Sequence, residues 1–338
     1  MANKMFSLEV NELHTKMAHL SVDKGKVELL SLGYDNTVPN FFSNPNEKSA
    51  IDQAKVINDL QKKLNIDTNR VHVVIPDSMS FFQLMVMPNL KEDDLAKSIR
   101  LQMEEFVPYP INDINIDFEV VQTLPEDKIL LLFIAIQKKI ADQFALCLEK
   151  AQLEPLTLEI DTSAIGRLFF EFQPFFKEPC LVINIGYSTS TIYLVNPTVP
   201  FFPYLRMIKL GLMHFIRDVK LNLNLDDGKA MEALRTIGLK NNASVKIYPI
   251  IYPLMTEFVN EINRTVLLAK EKYNGSIKGI YLLNNDMNIA NLHVTLQTIT
   301  SLPVRTINVS NLFVPNPITQ SFQNNLSAFL PVIAAHIR

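Results

Sequence analysis

The amino-terminal part of the chain spaces its apolar residues as β-strands and amphipathic helices do. Strand-like stretches run over residues 5–20 and 26–32, and the Asp-Lys-Gly sequence between them predicts a hairpin turn. Residues 49–64 carry apolar side chains at helical spacing and begin with Ser49, a residue type that commonly starts helices. The apolar run at residues 71–75 is typical of a short buried strand. Together these segments predict a β-β-α-β unit.

The following stretch predicts a small α/β unit of its own. Asn89 and Glu92 form a capping-box pattern at the start of an amphipathic helix, which Pro108 and Pro110 end. The predicted elements are, in order, a strand at residues 82–87, that helix with Leu95, Ile99, Met103 and Phe106 on its apolar face, strands at residues 116–123 and 128–136, and a helix carrying Ile140, Phe144, Leu148 and Ala151.

The second half of the chain repeats the pattern of the first. Residues 174–179, with a proline at each end, are the predicted domain boundary. The elements predicted around it are a strand at 156–160, a helix at 163–172, a hairpin of residues 180–185 and 190–195 about Gly186, helical stretches at 212–238 and 252–273, a strand at 280–283, and helices at 289–299 and 326–337. Because both halves begin with strand-turn-strand, we predict two similar α/β lobes with a cleft between them.

Length and composition narrow the class of protein. The 338 residues are enough for two domains, and 48% hydrophobic with 20% charged residues suits well-formed cores. The longest apolar run, residues 129–136, is far shorter than the roughly 20 residues of a membrane-spanning helix. Since the amino terminus also lacks the pattern of a signal peptide, we expect a cytoplasmic protein that reaches a membrane only through a partner.

Charge and chemistry exclude several further classes. The net charge is −3 and the basic residues are dispersed, so we expect no nucleic-acid binding. Cys147 and Cys180 are too few and too far apart for a disulfide framework or a zinc site. The 6 histidines are scattered, with no HExxH or GxSxG pattern. Only 9 residues are glycine, and neither GxxxxGK[ST] nor GxGxxG occurs, so P-loop and Rossmann nucleotide sites are not expected.

Six segments, in order, resemble the PilM family of type IV pilus assembly proteins. LEVNELHTK (Leu8–Lys16) and INIGYSTSTIYLV (Ile183–Val195) resemble the two phosphate loops of that family. The stretch MPNLKEDDLAKSIRLQMEEFVPYPINDINIDFEVV resembles its proline-headed helix, its YIPFP-like turn and the strand that follows. LEIDTSAIGRLF, EINRTVLLAKEKYNGSIKGIYLLNN and FLPVIAAHIR resemble its VDVEAFALAR-like segment, its EIxRSLxFF helix with the following strand, and its carboxyl terminus.

The resemblance implies a fold and a domain plan. The fold would be the two-lobed actin-like α/β fold, a duplicated RNase H-like unit, with an inserted subdomain 1C of the FtsA type. The first lobe, subdomain 1A, would comprise residues 1–80 and 155–177. The insert would comprise residues 81–154, and the second lobe, subdomains 2A and 2B, residues 178–338.

The resemblance also implies positions that face a nucleotide: Glu9, Asn11, Lys16, Asn184, Gly186, Ser188, Thr189, Ser190, Glu261, Arg264, Asn284 and Asn285. The family's two loop aspartates are Glu9 and Asn184 here, and family glycines are replaced by Asn11 and by the pair 284–285. An amide cannot act as a base and is a poorer ligand for a hard cation. We therefore expect weak or no binding of ATP and Mg²⁺, no catalytic residue and no resident metal.

The function that the resemblance implies is that of an interaction protein. It would sit at the cytoplasmic face of the inner membrane, bind the cytoplasmic tail of a PilN-like protein, and contact other pilus platform and motor proteins. The candidate tail-binding residues are Met87, Met103, Tyr109 and Pro110. Leu95, Ile99 and Phe106 have two interpretations, a tail-binding surface or the insert's own core. Two alternatives are an active actin-like ATPase and an actin-like component of a type II secretion or MSHA-type pilus system.

Three pairs of adjacent phenylalanines also have two interpretations. Phe169-Phe170, Phe175-Phe176 and Phe201-Phe202 would either form partner surfaces or pack in the core and between domains.

Overall fold

The computed structural model describes residues 5–23, 25–172, 175–240, 243, 245–273 and 276–337, without the side chains of Glu92, Met103, Glu104, Glu105 and Tyr273. Lys24 of the predicted turn and Pro174 of the predicted boundary therefore lie outside the described residues, as does the side chain of Met103. Contacts divide the chain into two compact units, one of Met1–His19 with Ser31–Ala164 and one of Leu20–Leu30 with Ile165–Arg338. The predicted bounds of the lobes and of the insert stay predictions.

Thirteen strands are described: β1 (Phe6–Val10), β2 (His14–Asp23), β3 (Lys26–Asn36), β4 (Arg70–Ile75), β5 (Ser80–Pro88), β6 (Ile114–Leu124), β7 (Lys128–Gln137), β8 (Glu154–Ile160), β9 (Cys180–Ile185), β10 (Ser190–Val195), β11 (Tyr204–Ile208), β12 (Ile280–Asn284) and β13 (Val304–Thr306). Ten α-helices lie between and after them: α1 (Glu47–Lys63), α2 (Glu92–Phe106), α3 (Lys138–Lys150), α4 (Asp161–Arg167), α5 (Leu212–Leu223), α6 (Asp227–Thr236), α7 (Tyr248–Tyr273), α8 (Leu292–Thr300), α9 (Pro317–Phe322) and α10 (Leu330–His336). Within this described part of the chain, no helix is both long and apolar enough to cross a bilayer.

The two large sheets have the same strand order. The first runs β3-β2-β1-β4-β8 and the second β11-β10-β9-β12-β13, so each sheet has its first strand at the centre. In the second sheet β9–β10 and β10–β11 are antiparallel, whereas β12 is parallel to both β9 and β13. In the first sheet β1–β2 is antiparallel, and β1–β4 and β4–β8 are parallel. The prediction of a duplicated α/β arrangement is confirmed.

The core of the first unit lies on the sheet face that α1 and α3 cover. Phe6 and Leu8 of β1 meet Ile57 of α1 and Phe144 of α3 in one buried cluster. Helix α1 starts earlier than Ser49, the residue that was predicted to begin it. Its N-cap is Asn46, whose side chain accepts a hydrogen bond from the Ser49 amide. The predicted start was wrong because asparagine caps a helix as well as serine does.

The insert consists of a three-stranded antiparallel sheet, β5-β7-β6, packed against α2. Its own core is a separate cluster that contains Leu95, Ile99 and Met87 together with apolar residues of β7. Helix α3 instead packs in the core of the first sheet. The two cores therefore divide this part of the chain near residue 137.

Two features of the strand pattern were not predicted. Residues 5–20 form two strands rather than one, since β1 and β2 turn back on each other at residues 11–13. The strands β11 and β13 were not predicted; β13 has only 3 residues, and most residues of β11 are not buried. Helix α7 also starts earlier than predicted and contains Pro253.

Candidate functional site

The first loop, between β1 and β2, holds a buried charge pair. Glu9 and Lys16 are directly opposite in the antiparallel register, so their side chains point to the same face. Lys16 Nζ lies 2.9 Å from Glu9 Oε1, and the two side chains are 5% and 1% exposed. Asn11 Nδ2 donates a hydrogen bond to the same oxygen at 2.5 Å. The one lysine of this loop therefore already has an anionic partner.

The turn of the first loop is closed by Asn11. Its Oδ1 accepts hydrogen bonds from the backbone amides of Leu13 (3.0 Å) and His14 (2.8 Å), which is an Asx-type turn. The Asn11 amide donates to the His14 carbonyl at 2.9 Å. Amides in such a loop are the groups that would bind a phosphate. In this chain a side chain occupies two of them.

Electrostatics of the first loop do not favour an added anion. Burial, with a smaller contribution from the Lys16 charge, lowers the pKa of His14 to about 4, so the imidazole is neutral at pH 7. Within the described residues, Glu9 Oε2 is buried and has no hydrogen-bond partner. The loop therefore offers an open acceptor and no free cation.

The second loop, between β9 and β10, keeps a tight glycine-dependent geometry. A Cβ at Gly186 would lie 2.5 Å from the Thr189 carbonyl oxygen, and a Cβ at Gly211 would lie 2.5 Å from the Tyr187 carbonyl oxygen. The amides of Leu212 and Met213, at the start of α5, donate to the carbonyls of residues 186 and 187. The loop is thus packed directly on the helix N-terminus, and only glycine fits at either contact.

Two buried polar side chains of the second loop bond to residues of the second unit. Asn184 is buried, and its Oδ1 accepts a hydrogen bond from Asn284 Nδ2 at 3.1 Å. Ser190 Oγ donates to the Leu210 carbonyl at 2.7 Å. Ser188 and Thr189 are half-buried.

The 284–285 pair, where family glycines were expected, is also bound to the second loop. Asn284 adopts a left-handed backbone conformation with a φ of 74°, which asparagine tolerates better than most residues. Asn285 Nδ2 donates to the Ile185 carbonyl at 3.0 Å. Asn284 thus keeps a backbone conformation that favours glycine, and both asparagines add side chains that bond to the neighbouring strand.

Glu261 and Arg264 form an ion pair on α7. Glu261 also pairs with Arg206, a residue that was not predicted from the sequence. Glu261 Oε1 is 2.7 Å from Arg264 Nη1, and its Oε2 is 2.7 Å from Arg206 Nε. Arg206 lies on β11, the strand that was not predicted, so no sequence signal linked it to Glu261. Glu261 is buried and forms an ion triad with two arginines whose side chains reach the surface.

A second group that sequence reasoning missed lies at the carboxyl ends of β4 and β8. Asp77 is buried and accepts hydrogen bonds from Thr162, at 3.0 Å from the amide and 2.8 Å from the hydroxyl. Asp161, also buried, is the neighbouring residue at the start of α4. Across the residues that the structure describes, no three His, Cys, Asp or Glu side chains are arranged to hold a metal ion.

The predicted tail-binding residues separate into buried and exposed ones. Met87 is 1% exposed in the insert core, so it packs the insert and presents no surface. Tyr109 is 45% exposed and the neighbouring Phe106 is 48% exposed. Pro110 is exposed, and the Met103 side chain lies outside the description. The end of α2 therefore presents two aromatic side chains on the surface of the insert.

The sequence matches the family model "Type IV pilus assembly protein PilM" over residues 8–333. Among solved structures, a chain of the PilM-PilN type IV pilus biogenesis complex is 19% identical, with 100% of this chain and 99% of that chain covered and a TM-score of 0.85. MreB 5 of Spiroplasma citri bound to AMPPNP is 13% identical, with 98% and 94% covered and a TM-score of 0.53.

The ethanolamine utilization protein EutJ from Carboxydothermus hydrogenoformans is 11% identical, with 98% and 88% covered and a TM-score of 0.53. At these identities the solved structures show the fold, which is the two-lobed actin-like α/β fold that the sequence predicted. The family match extends over almost the whole chain, so the chain belongs to the PilM family of type IV pilus assembly proteins.

Proposed function

We propose that this chain is an adaptor of type IV pilus assembly that binds the cytoplasmic tail of a PilN-like inner-membrane protein and has a degenerate nucleotide site. The observation that carries the proposal is the Glu9–Lys16–Asn11 cluster, which fills the first loop with the chain's own groups. The near-full-length likeness to a chain of the PilM-PilN complex supports the proposed partner.

The first loop opposes a phosphate energetically. A phosphate would have to take Lys16 from Glu9, and separating a buried ion pair costs about 3–5 kcal/mol because one charge is left unpaired. It would also have to displace Asn11 Oδ1 from two backbone amides. Since typical net hydrogen bonds contribute about 1 kcal/mol each, the rearrangement would consume much of the affinity of a nucleotide.

The second loop lacks the charge that a magnesium-water shell requires. Asn184 stands where the family has aspartate, and its amide oxygen is already bonded to Asn284. A neutral carboxamide attracts a divalent cation less than a carboxylate does. Lys16, Thr189 and Ser190 match the family's phosphate-contacting positions, and we propose that here they maintain the fold.

The insert is the proposed surface for the tail. An extended peptide gains affinity by pairing with a sheet edge and specificity from pockets for alternate side chains. β5 and β6 are the outer strands of the three-stranded insert sheet. Phe106 and Tyr109 lie between these strands along the chain, and both side chains are exposed. We propose that the tail lies in the groove between the insert and the first sheet, with Tyr109 and Pro110 in contact with it.

The proposed location follows from the partner. The adaptor is cytoplasmic and peripheral, and it is held at the inner membrane through the PilN-like tail. From there it couples the envelope complex to the other platform proteins and to the motor. A scaffold role of this kind requires no turnover of nucleotide.

The tail proposal is tested by titrating a synthetic amino-terminal peptide of the PilN-like protein from the same genome into the purified chain. Removing a hot-spot aromatic costs about 2 kcal/mol or more, so Tyr109→Ala is expected to raise Kd roughly thirtyfold. Phe106→Ala is expected to weaken binding less. The matched control is Leu101→Ala on the same helix, which removes an apolar side chain that is 70% exposed.

Three outcomes are informative. A thirtyfold loss in Tyr109→Ala with no loss in Leu101→Ala supports the proposed surface. Equal affinity in wild type, Tyr109→Ala and Phe106→Ala would place the tail elsewhere on the chain. Failure of the wild type to bind the peptide at all would remove the adaptor function itself.

A further inference from the structure

A cavity in the second unit lies at the edge of the sheet where β9, β12 and β13 begin. Its volume is about 380 Å³, and its lining includes Phe175, Phe176 and Tyr281 together with Lys177, Lys278 and Arg305. Asn184 and Asn284 lie at the carboxyl ends of β9 and β12, whereas this cavity is at their amino ends. The cavity is therefore separate from the second loop.

The aromatic wall of the cavity is held in place by packing. The rings of Phe175 and Phe176 are 5.0 Å apart, and those of Phe176 and Tyr281 are 5.1 Å apart. Phe176 is also 5.1 Å from the buried ring of Phe169. These are favourable aromatic separations. The Phe175-Phe176 pair thus reaches from the core to the wall of a surface cavity.

The backbone around the cavity is fixed by the start of the sheet. The Lys278 amide donates to the Pro179 carbonyl at 2.9 Å, and the Leu181 amide donates to the Gly279 carbonyl at 3.0 Å. The Ile280 amide donates to the Pro303 carbonyl at 2.8 Å. Three chain segments are therefore tied together at the rim, which is preorganised before any ligand arrives.

The rim carries an excess of positive charge. Lys177, Lys278 and Arg305 are exposed, and Glu178 is the acidic residue of the lining. Within the described chain, none of the three cations forms an ion pair. Three exposed cations beside one acidic residue favour an anionic ligand at this rim, although the net charge of the whole chain is −3.

We propose that this cavity docks an acidic segment of a partner polypeptide, with one aromatic or large aliphatic side chain in the cavity and flanking Asp or Glu residues on the rim. A volume of about 380 Å³ is at the small end of the range for ligand pockets, so it suits a single anchoring side chain. An apolar anchor surrounded by complementary charge is the usual anatomy of a binding hot spot. The surface is distinct from the one proposed for the PilN-like tail, which lies on the insert.

The test is selection of a phage-displayed random heptapeptide library on the wild-type chain, with the Lys278→Glu/Arg305→Glu double variant used to remove peptides that bind elsewhere. Both substitutions are at exposed positions, and an unchanged thermal unfolding curve checks that the variant folds. Peptides that remain are expected to contain Phe, Tyr, Trp or Leu flanked by at least two acidic residues. A synthetic copy of the best peptide is expected to lose affinity at least about tenfold in the double variant.

Two further variants distinguish binding in the cavity from nonspecific electrostatic attraction of acidic peptides. Lys55→Glu, an exposed charge reversal on α1 in the first unit, is expected to leave the affinity unchanged. Phe175→Ala is expected to weaken binding of the peptide although it changes no charge. Enrichment without acidic bias, or no peptide that prefers the wild type, would overturn the proposal. Binding of anionic phospholipid vesicles that is lost in the double variant, with no peptide selected, would overturn it in favour of a membrane surface.

Discussion

The first and second loops are related positions of a duplicated fold, and they have changed in opposite ways. The first loop keeps ionisable groups, Glu9 and Lys16, but binds them to each other and to Asn11. The second loop keeps its glycine contacts at Gly186 and Gly211 but has a neutral Asn184 at its centre. In the first loop the charged groups are bound to each other and a side chain occupies two backbone amides, whereas the second loop packs closely around a neutral residue. The proposed loss of nucleotide binding would therefore leave the fold intact.

The largest effect is expected from separating the charge pair of the first loop. Lys16→Ala leaves Glu9 buried without its cation, and we expect the free energy of unfolding to fall by about 3–5 kcal/mol in urea titrations. The matched control is Lys63→Ala, which breaks the exposed pair with Asp35 at 2.8 Å and is expected to leave the urea midpoint almost unchanged. Equal effects of the two variants would show that the buried pair contributes no more than a surface pair.

The next effect is a pH dependence that belongs to the first loop. The folded-state pKa of His14, about 4, is below its ordinary value of 6.5, so between these values the unfolded chain binds more protons. The free energy of unfolding is therefore unaffected by this group above pH 6.5. It falls by up to about 3 kcal/mol as the pH is lowered to 4. Unfolding measured in this window should be less pH-dependent in His14→Gln than in wild type.

If the free energy of unfolding falls equally with pH in the wild type and in His14→Gln, the burial of a neutral His14 is contradicted. The second loop can serve as the reference, since residues 184–190 contain no histidine, acid or lysine. Substitutions there are expected to change the free energy of unfolding by the same amount at every pH between 4 and 6.5.

The third effect tests the packing of the second loop. An alanine Cβ at residue 211 would lie 2.5–2.7 Å from three backbone atoms of residues 187–189, and overpacking of this kind costs about 1–3 kcal/mol. Gly211→Ala should lower the free energy of unfolding by that amount. Gly228→Ala is the control, since its Cβ would have only an ordinary contact at 3.4 Å. Similar stability of both variants would mean that the second loop can relax and that its glycines are not needed for packing.

Much of the fold could be predicted from the sequence because it follows from local periodicity. The apolar runs of β4, β9 and β10 and the amphipathic faces of α2 and α3 each report burial directly. The order of these elements was enough to predict a duplicated α/β fold and a small separate α/β unit, whereas the insert was implied by the family resemblance.

The candidate site could be predicted only as positions and not as contacts. That Asn11 would close the turn and bind Glu9 depends on the cross-strand register of β1 and β2, which a sequence pattern does not report. Met87 was predicted to contact the tail and is buried, because the face of β5 that packs against α2 is decided by tertiary structure. The Glu261–Arg206 pair likewise joins a helix to a strand that was not predicted.

The proposed degenerate nucleotide site is tested most directly by thermal unfolding of the wild type and of the Asn184→Asp/Asn284→Gly variant. Each is measured with millimolar ATP and Mg²⁺ and compared with an EDTA control. A ligand at a hundredfold excess over Kd stabilises a folded protein by about 2.7 kcal/mol, which is a shift of several degrees for a chain of this size. We expect no magnesium-dependent shift in either protein, because repairing the second loop leaves Lys16 bound to Glu9. A shift of several degrees in the wild type, accompanied by phosphate release, would contradict the degenerate site and favour an active ATPase.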